Sequence, residues 1–178
     1  MARALLAALV ALYGAWLVLA YRWHFVDGAN LLFHEAGHVF FAVFGPVLGI
    51  LGGTLGQLFF PIACAVHFLR RRSVVEAGAA VVWLGGNLMN VAVYVADARA
   101  QVLPRVGGEI HDWHWLLSRW GLLAHDATVA RGVHVLGVLV VLGGVAAAVA
   151  PAAPPRPAAP HPPARAGPLT PGRCRPPG

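Results

Sequence analysis

Long uncharged apolar runs, separated by short polar segments, make up the first 150 residues. A helix of about 20 apolar residues is as long as the hydrocarbon core of a bilayer is thick, about 30 Å. The pattern therefore predicts an all-α, polytopic integral membrane protein whose residues 1–150 form one membrane domain. We expect about five transmembrane helices, with four or six as the alternatives, at about 4–20, 30–44, 57–69, 74–96 and 132–150.

Three segments depart from this pattern. Residues 97–130 form a polar loop, in which apolar side chains from Ile110 to Leu123 recur at near-helical spacing and predict a short helix in the lipid headgroup region. Residues 151–178 hold most of the prolines and no acidic residue, so we expect a disordered tail. Residues 49–56 are so rich in glycine that the sequence favours a re-entrant or extended loop there.

The composition also favours lipid as the surroundings of this chain. Hydrophobic residues make up 58% of it and charged residues only 11%, against about a quarter in average proteins. The net charge is +6, but the arginines lie at the ends of apolar segments and in the tail, so we expect the lipid bilayer and no nucleic acid as a partner. Their distribution favours an N-out/C-in orientation, and the Arg- and Ala-rich composition favours a bacterial inner (cytoplasmic) membrane.

The strongest chemical signal is the segment His34-Glu35-Ala36-Gly37-His38 within the second apolar run. Residues four apart lie on one face of a helix, so the two imidazoles can bind one Zn²⁺ while Glu35 lies beside the ion as a general base. Ionisable residues are costly in lipid and usually mark function. The rival interpretations are two histidines that bond neighbouring helices, and a haem-binding pair.

Three segments carry a resemblance to a known family. Leu32-Phe33-His34-Glu35-Ala36-Gly37-His38, Gly86-Asn87-Leu88-Met89-Asn90 and the stretch from Leu103-Pro104 to His111-Asp112-Trp113 occur in that order. In this order they resemble the site-2 protease family of intramembrane zinc metalloproteases, and a group of small bacterial membrane proteins with the same first motif. Asn87 stands where the family has a proline, and the family's Leu-Asp-Gly motif is absent.

The resemblance implies hydrolysis of peptide bonds within or beside the membrane, in membrane-protein or peptide substrates. It implies His34 and His38 as zinc ligands and Glu35 as the catalytic base. The alternative is a non-catalytic membrane protein whose histidine pair binds a metal for structure, sensing or partner assembly. An open position on the zinc separates the two, because a structural site has four protein ligands.

The third ligand stays open at this stage. Asp112 fits the family order and the adjacent His111 is equally competent, while Asp97 is an alternative. If every predicted helix crosses the bilayer once, however, His34 and Asp112 are separated by roughly 30 Å. Either residues 45–56 are re-entrant, or the loop after Asp97 folds back, or the ligand lies elsewhere, with Glu76 and His67 as the fallback.

Two asparagines of the fourth apolar run are candidates for substrate binding. Asn87 and Asn90 can hold an extended peptide through its backbone, because a peptide must leave its helical state before a protease reaches its carbonyl. Polar residues that pack helices together are the equal alternative.

Overall fold

A computed structural model describes residues 1–104, 106 and 109–150. These residues form helices without any strand, which confirms the all-α prediction. The predicted disordered tail, 151–178, lies outside the described residues. Two short 3₁₀ turns, Ala42–Phe44 and Leu123–His125, accompany the α-helices, which are α1 Ala2–Ala20, α2 Phe25–Phe41, α3 Pro46–Arg70, α4 Val74–Ala96, α5 Asp112–Arg119 and α6 Asp126–Val149.

Among the described residues, four helical segments are long and apolar enough to cross a membrane: α1, α3, α4 and the continuous stretch Leu123–Val149. The remaining predicted span corresponds to α2, which has 17 residues and includes Asp27, Glu35 and two histidines. Four of the about five predicted spans thus correspond to helices of sufficient length and apolarity.

α1 and α2 run in the same direction, although only four residues connect them. His24, at the end of this connection, has an extended backbone, and its Nε2 lies 2.6 Å from the hydroxyl of Tyr13, in the middle of α1. The connection therefore runs back along α1 before α2 begins. α2 therefore repeats much of the path of α1.

The start of α1 and the end of α6 lie at the same end of the bundle. Arg3 Nε lies 3.4 Å from Glu76 Oε1, which places the start of α1 beside the start of α4. Gly78 of α4 is in close contact with Gly144 and Ala148, so the end of α6 lies there too. The start of α1 and the end of α6 thus lie together, whereas the predicted N-out/C-in orientation expects the two on opposite sides of a membrane.

The glycine-rich residues 49–56 are helical, contrary to the expected loop. Their glycines face α2 instead of breaking α3: a Cβ on Gly52 would lie 2.6 Å from the carbonyl oxygen of Gly37, and one on Gly56 would overlap Phe33 O. Small residues allow the backbones of two helices to approach closely. The glycines therefore serve interhelical packing.

α4 is the central helix and packs against α6, α3 and α1. Two apolar clusters surround it, one with α1 and α6 and one with α5 at its carboxyl end. The predicted short helix is present as α5, but Leu116 and Leu117 are buried against Val95 and do not face outward. These contacts hold α5 against the end of α4, and the first residue of α5, Asp112, is buried.

The contact between α4 and α6 depends on glycines that leave no room for a side chain. A Cβ on Gly144 would lie 2.7 Å from the backbone nitrogen of Val82, whereas one on the adjacent Gly143 would meet nothing within 4 Å. Gly144 and Gly143 are therefore a matched pair of positions for substitution, one packed against α4 and one open.

We expect Gly144→Ala to lower the free energy of unfolding by about 1–3 kcal/mol, because an added methyl group overpacks the interface. Gly143→Ala should leave stability unchanged or raise it by about 0.5–1 kcal/mol, since alanine is the better helix former. Thermal unfolding in detergent micelles measures both. Equal stability of the two variants would contradict the packing described here.

Candidate metal centre

Three side chains from two distant parts of the chain converge between α2 and α5. Nε2 of His34 lies 2.9 Å, and Nε2 of His38 3.2 Å, from the same oxygen, Oδ2 of Asp112. All three potential ligand atoms lie within 4.8 Å of one another. The group can hold a metal ion, and its donors are two imidazoles and one carboxylate.

The far nitrogen of each imidazole is held by a partner on α3. Nδ1 of His34 lies 2.9 Å from Oε1 of Gln57, and Nδ1 of His38 lies 2.8 Å from the carbonyl oxygen of Gly49. A carbonyl oxygen only accepts hydrogen bonds, so Nδ1 of His38 carries a proton. Metal-binding histidines typically have such partners, which orient the ring and leave the other nitrogen for the ion.

Gly53 provides the space next to these two nitrogens. A Cβ at this position would overlap Nε2 of His34 and lie 2.5 Å from Nε2 of His38. The backbone of α3 therefore forms one wall of the centre, and a residue larger than glycine would displace the imidazoles. The donor set and this cradle fit a metal ion.

Asp112 reaches the histidines because the chain folds back after α4. Asp97 follows the end of α4 and accepts hydrogen bonds from the backbone nitrogens of Val102 and Leu103, at 3.0 and 3.1 Å. The backbone nitrogen of Asp112 donates to the hydroxyl of Tyr94 at 3.4 Å. The roughly 30 Å separation expected from single crossings does not arise, because His34 lies level with the carboxyl end of α4, where its ring is 6.2 Å from that of Tyr94.

Asp112 is buried, yet its carboxylate is held in the ionised form. Burial is the largest influence on its pKa and raises it. Hydrogen bonds with His34 and His38 together outweigh burial and hold the pKa of Asp112 below its ordinary value. The carboxylate is thus available as a negative ligand.

His111 lies outside this group of three, although it is adjacent to Asp112. Its Nδ1 accepts from the backbone nitrogen of His114 at 3.2 Å, its Nε2 lies 3.3 Å from Oδ2 of Asp97, and its ring stacks on Tyr94 at 4.2 Å. Burial lowers the pKa of His111. The structure therefore places His111 and Asp97 together, where they close the base of the loop that carries Asp112.

The fallback ligands lie far from the histidines. Glu76 pairs with Arg3 at the opposite end of α4, and His67 is exposed in the last turn of α3. Neither belongs to the group of three.

The centre opens into a cavity of about 560 Å³. Glu35 is half-buried and lines it together with the three candidate ligands and with apolar side chains that include Leu31 and Ile110. A second cavity, of about 730 Å³, begins on the other side of Glu35, His38 and Asp112. The two cavities meet beside the candidate ligands, and Glu35 faces both.

The two asparagines occupy different environments. Asn90 lines the cavity of about 560 Å³, whereas Asn87 is completely buried and donates to the carbonyl oxygen of Trp83 at 3.1 Å.

Sequence reasoning missed Gln57 and Gly53. A buried polar Gln57 in an otherwise apolar helix is the signal that could have found the first, while Gly53 was hidden in the presumed loop.

Comparison of the chain with protein-family models, curated proteins and solved structures finds no match.

We expect Gly53→Ala to abolish metal binding, because the new methyl group occupies the space beside both Nε2 atoms. Zinc content after reloading and gel filtration in detergent measures this. Gly132→Ala is the control, since a Cβ there meets nothing within 4 Å. Full zinc occupancy of a folded Gly53→Ala protein would contradict the position of the centre.

The identity of the third ligand gives a separate prediction. Asp112→Asn should lower zinc content to background, because it removes the negative donor that both histidines face. Asp97→Asn, a matched change at a buried carboxylate outside the group, should retain zinc. The opposite result would assign the ligand to Asp97.

Proposed function

We propose that this protein is a membrane-embedded, zinc-dependent metallopeptidase that hydrolyses peptide bonds of membrane or membrane-proximal substrates. The observation that carries the proposal is the group of three ligands with Glu35 beside it on one cavity. Catalytic zinc sites typically have three protein ligands and an open position, whereas structural sites have four. The described residues supply three, which favours catalysis over a structural or sensory metal.

Zinc is the metal that suits this donor set best. Two imidazoles and a carboxylate are the ligands of well-known zinc peptidases. His34, His38 and Asp112 would hold the ion, which when bound supplies a Lewis acid that lowers the pKa of water and polarises a carbonyl group.

The remaining chemistry belongs to side chains of the chain. Glu35, one residue from His34 and three from His38, takes the proton from the attacking water and returns it to the leaving amine nitrogen. The apolar lining of the cavity holds the substrate and keeps bulk water away from the reacting bond. Asn90, on the same cavity, is a candidate for hydrogen bonds with the substrate backbone.

A membrane location agrees with the outer surface of the helices. Large apolar side chains are exposed on α1, α3 and α6, among them Leu12, Phe59 and Leu139. Exposed apolar surface of this extent marks contact with lipid or protein. We place the protein in a bacterial inner membrane.

The orientation follows from the arginines. Arg3 and the run Arg70, Arg71 and Arg72 lie at one end of the bundle, and the arginine-rich tail follows α6, which ends there. Arginine-rich ends face the cytoplasm. We therefore propose an N-in/C-in orientation, with the metal centre nearer the opposite face.

Glu35→Gln should retain zinc but lower peptidase activity by about a hundredfold or more, because glutamine cannot accept the proton. Cleavage of an apolar transmembrane peptide in proteoliposomes, together with zinc content, measures both. Glu76→Gln is the matched control, since Glu76 pairs with Arg3 far from the centre. Equal cleavage by Glu35→Gln and the unaltered protein would sink the proposal, and zinc binding without any cleavage would favour the non-catalytic alternative.

A further inference from the structure

A line of buried side chains connects α4 to the metal centre through α3. Nδ2 of Asn87 donates to the carbonyl oxygen of Trp83 at 3.1 Å, and Nε2 of Gln57 lies 3.4 Å from Oδ1 of Asn87. Oε1 of Gln57 lies 2.9 Å from Nδ1 of His34. Asn87, Gln57 and His34 are 0%, 4% and 7% exposed, so water does not compete for these bonds.

The direction of every bond in this line follows from its first member. A backbone carbonyl only accepts, so the amide nitrogen of Asn87 must point to Trp83 and its oxygen must point to Gln57. That oxygen also only accepts, so Gln57 presents its nitrogen to Asn87 and its oxygen to His34. Nδ1 of His34 must therefore carry a hydrogen.

Gln57 alone would not impose this state. Its amide can rotate by half a turn and offer a donor to Nδ1 of His34, which favours the tautomer with hydrogen on Nε2. That tautomer has no lone pair on the nitrogen that faces Asp112. Asn87 prevents the rotation, because two acceptor oxygens would then face each other in a buried site, where an unpaired polar group costs about 1–3 kcal/mol.

We propose that Asn87 is a positioning residue: through Gln57 it keeps a hydrogen on Nδ1 of His34, so that Nε2, which faces Asp112, is the nitrogen left for a metal ion. His38 needs no such line, because the backbone oxygen of Gly49 sets its tautomer directly. The inference rests on the metal centre of the proposed function but not on proteolysis. It assigns Asn87 a task at the metal in place of contact with substrate.

A double-mutant cycle on the full chain tests the proposal, with zinc affinity measured in detergent by competition with a chelator. Asn87→Leu should weaken zinc binding by about tenfold, at the lower end of typical effects of residues that support metal ligands. Gln57→Glu should retain affinity, because a carboxylate accepts from Nδ1 of His34 whatever its other neighbour does. In the Gln57→Glu background, Asn87→Leu should then have no further effect.

A matched asparagine separates this task from helix packing. Asn30 of α2 is also buried and accepts from Nε1 of Trp83 at 2.9 Å, but this bond is made to the indole and not to the carbonyl oxygen that orients Asn87. Asn30→Leu should lower thermal stability and leave zinc affinity unchanged. If Asn87→Leu fails to fold, Asn87→Ala takes its place in the cycle.

The outcomes separate this inference from the proposed function. An equal loss of affinity from the Asn87 substitution in both backgrounds, or no loss in either, would overturn the positioning task. If the double-mutant cycle gives the expected zinc affinities but the unaltered protein cleaves no peptide, only the proposed peptidase activity would be overturned. A wild-type protein that binds no zinc would overturn both.

Discussion

The close approach of α2 to α3 is the constraint on which the candidate metal centre depends. Glycines at 37, 52, 53 and 56 bring the two backbones together, so that α3 provides a wall beside the imidazoles and partners for their far nitrogens. Packing in lipid has no hydrophobic drive between helices, and close contact of small residues replaces it. The same residues thus stabilise the helix pair and shape the site.

A second constraint is the balance of buried hydrogen bonds. A polar group inside this bundle is costly without a partner, because water is not there to replace one. Gln57, Asn87 and the carbonyl oxygen of Trp83 satisfy one another and end on His34. Residues that tie helices together therefore also determine which nitrogen of His34 carries a hydrogen, so the same bonds affect both stability and ligand chemistry.

The loop between α4 and α5 shows how a distant carboxylate joins a helix-borne histidine pair. Asp97 and His111 close its base, and buried Leu116 and Leu117 fasten α5 to the end of α4. Asp112 is thereby directed inward at the first residue of α5. The charge of Asp112 is tolerated in this buried position because both histidines bond it.

The sequence by itself determined the helical class, the apolar segments and the spacing that puts His34, Glu35 and His38 on one turn, since these depend on local periodicity. It could not decide the state of residues 49–56, because glycine weakens an isolated helix but favours one packed against α2. Nor could it choose between Asp112, His111 and Asp97, or assign Gln57 and Asn87. Those roles depend on which side chains meet across helices, and only tertiary packing sets such distances.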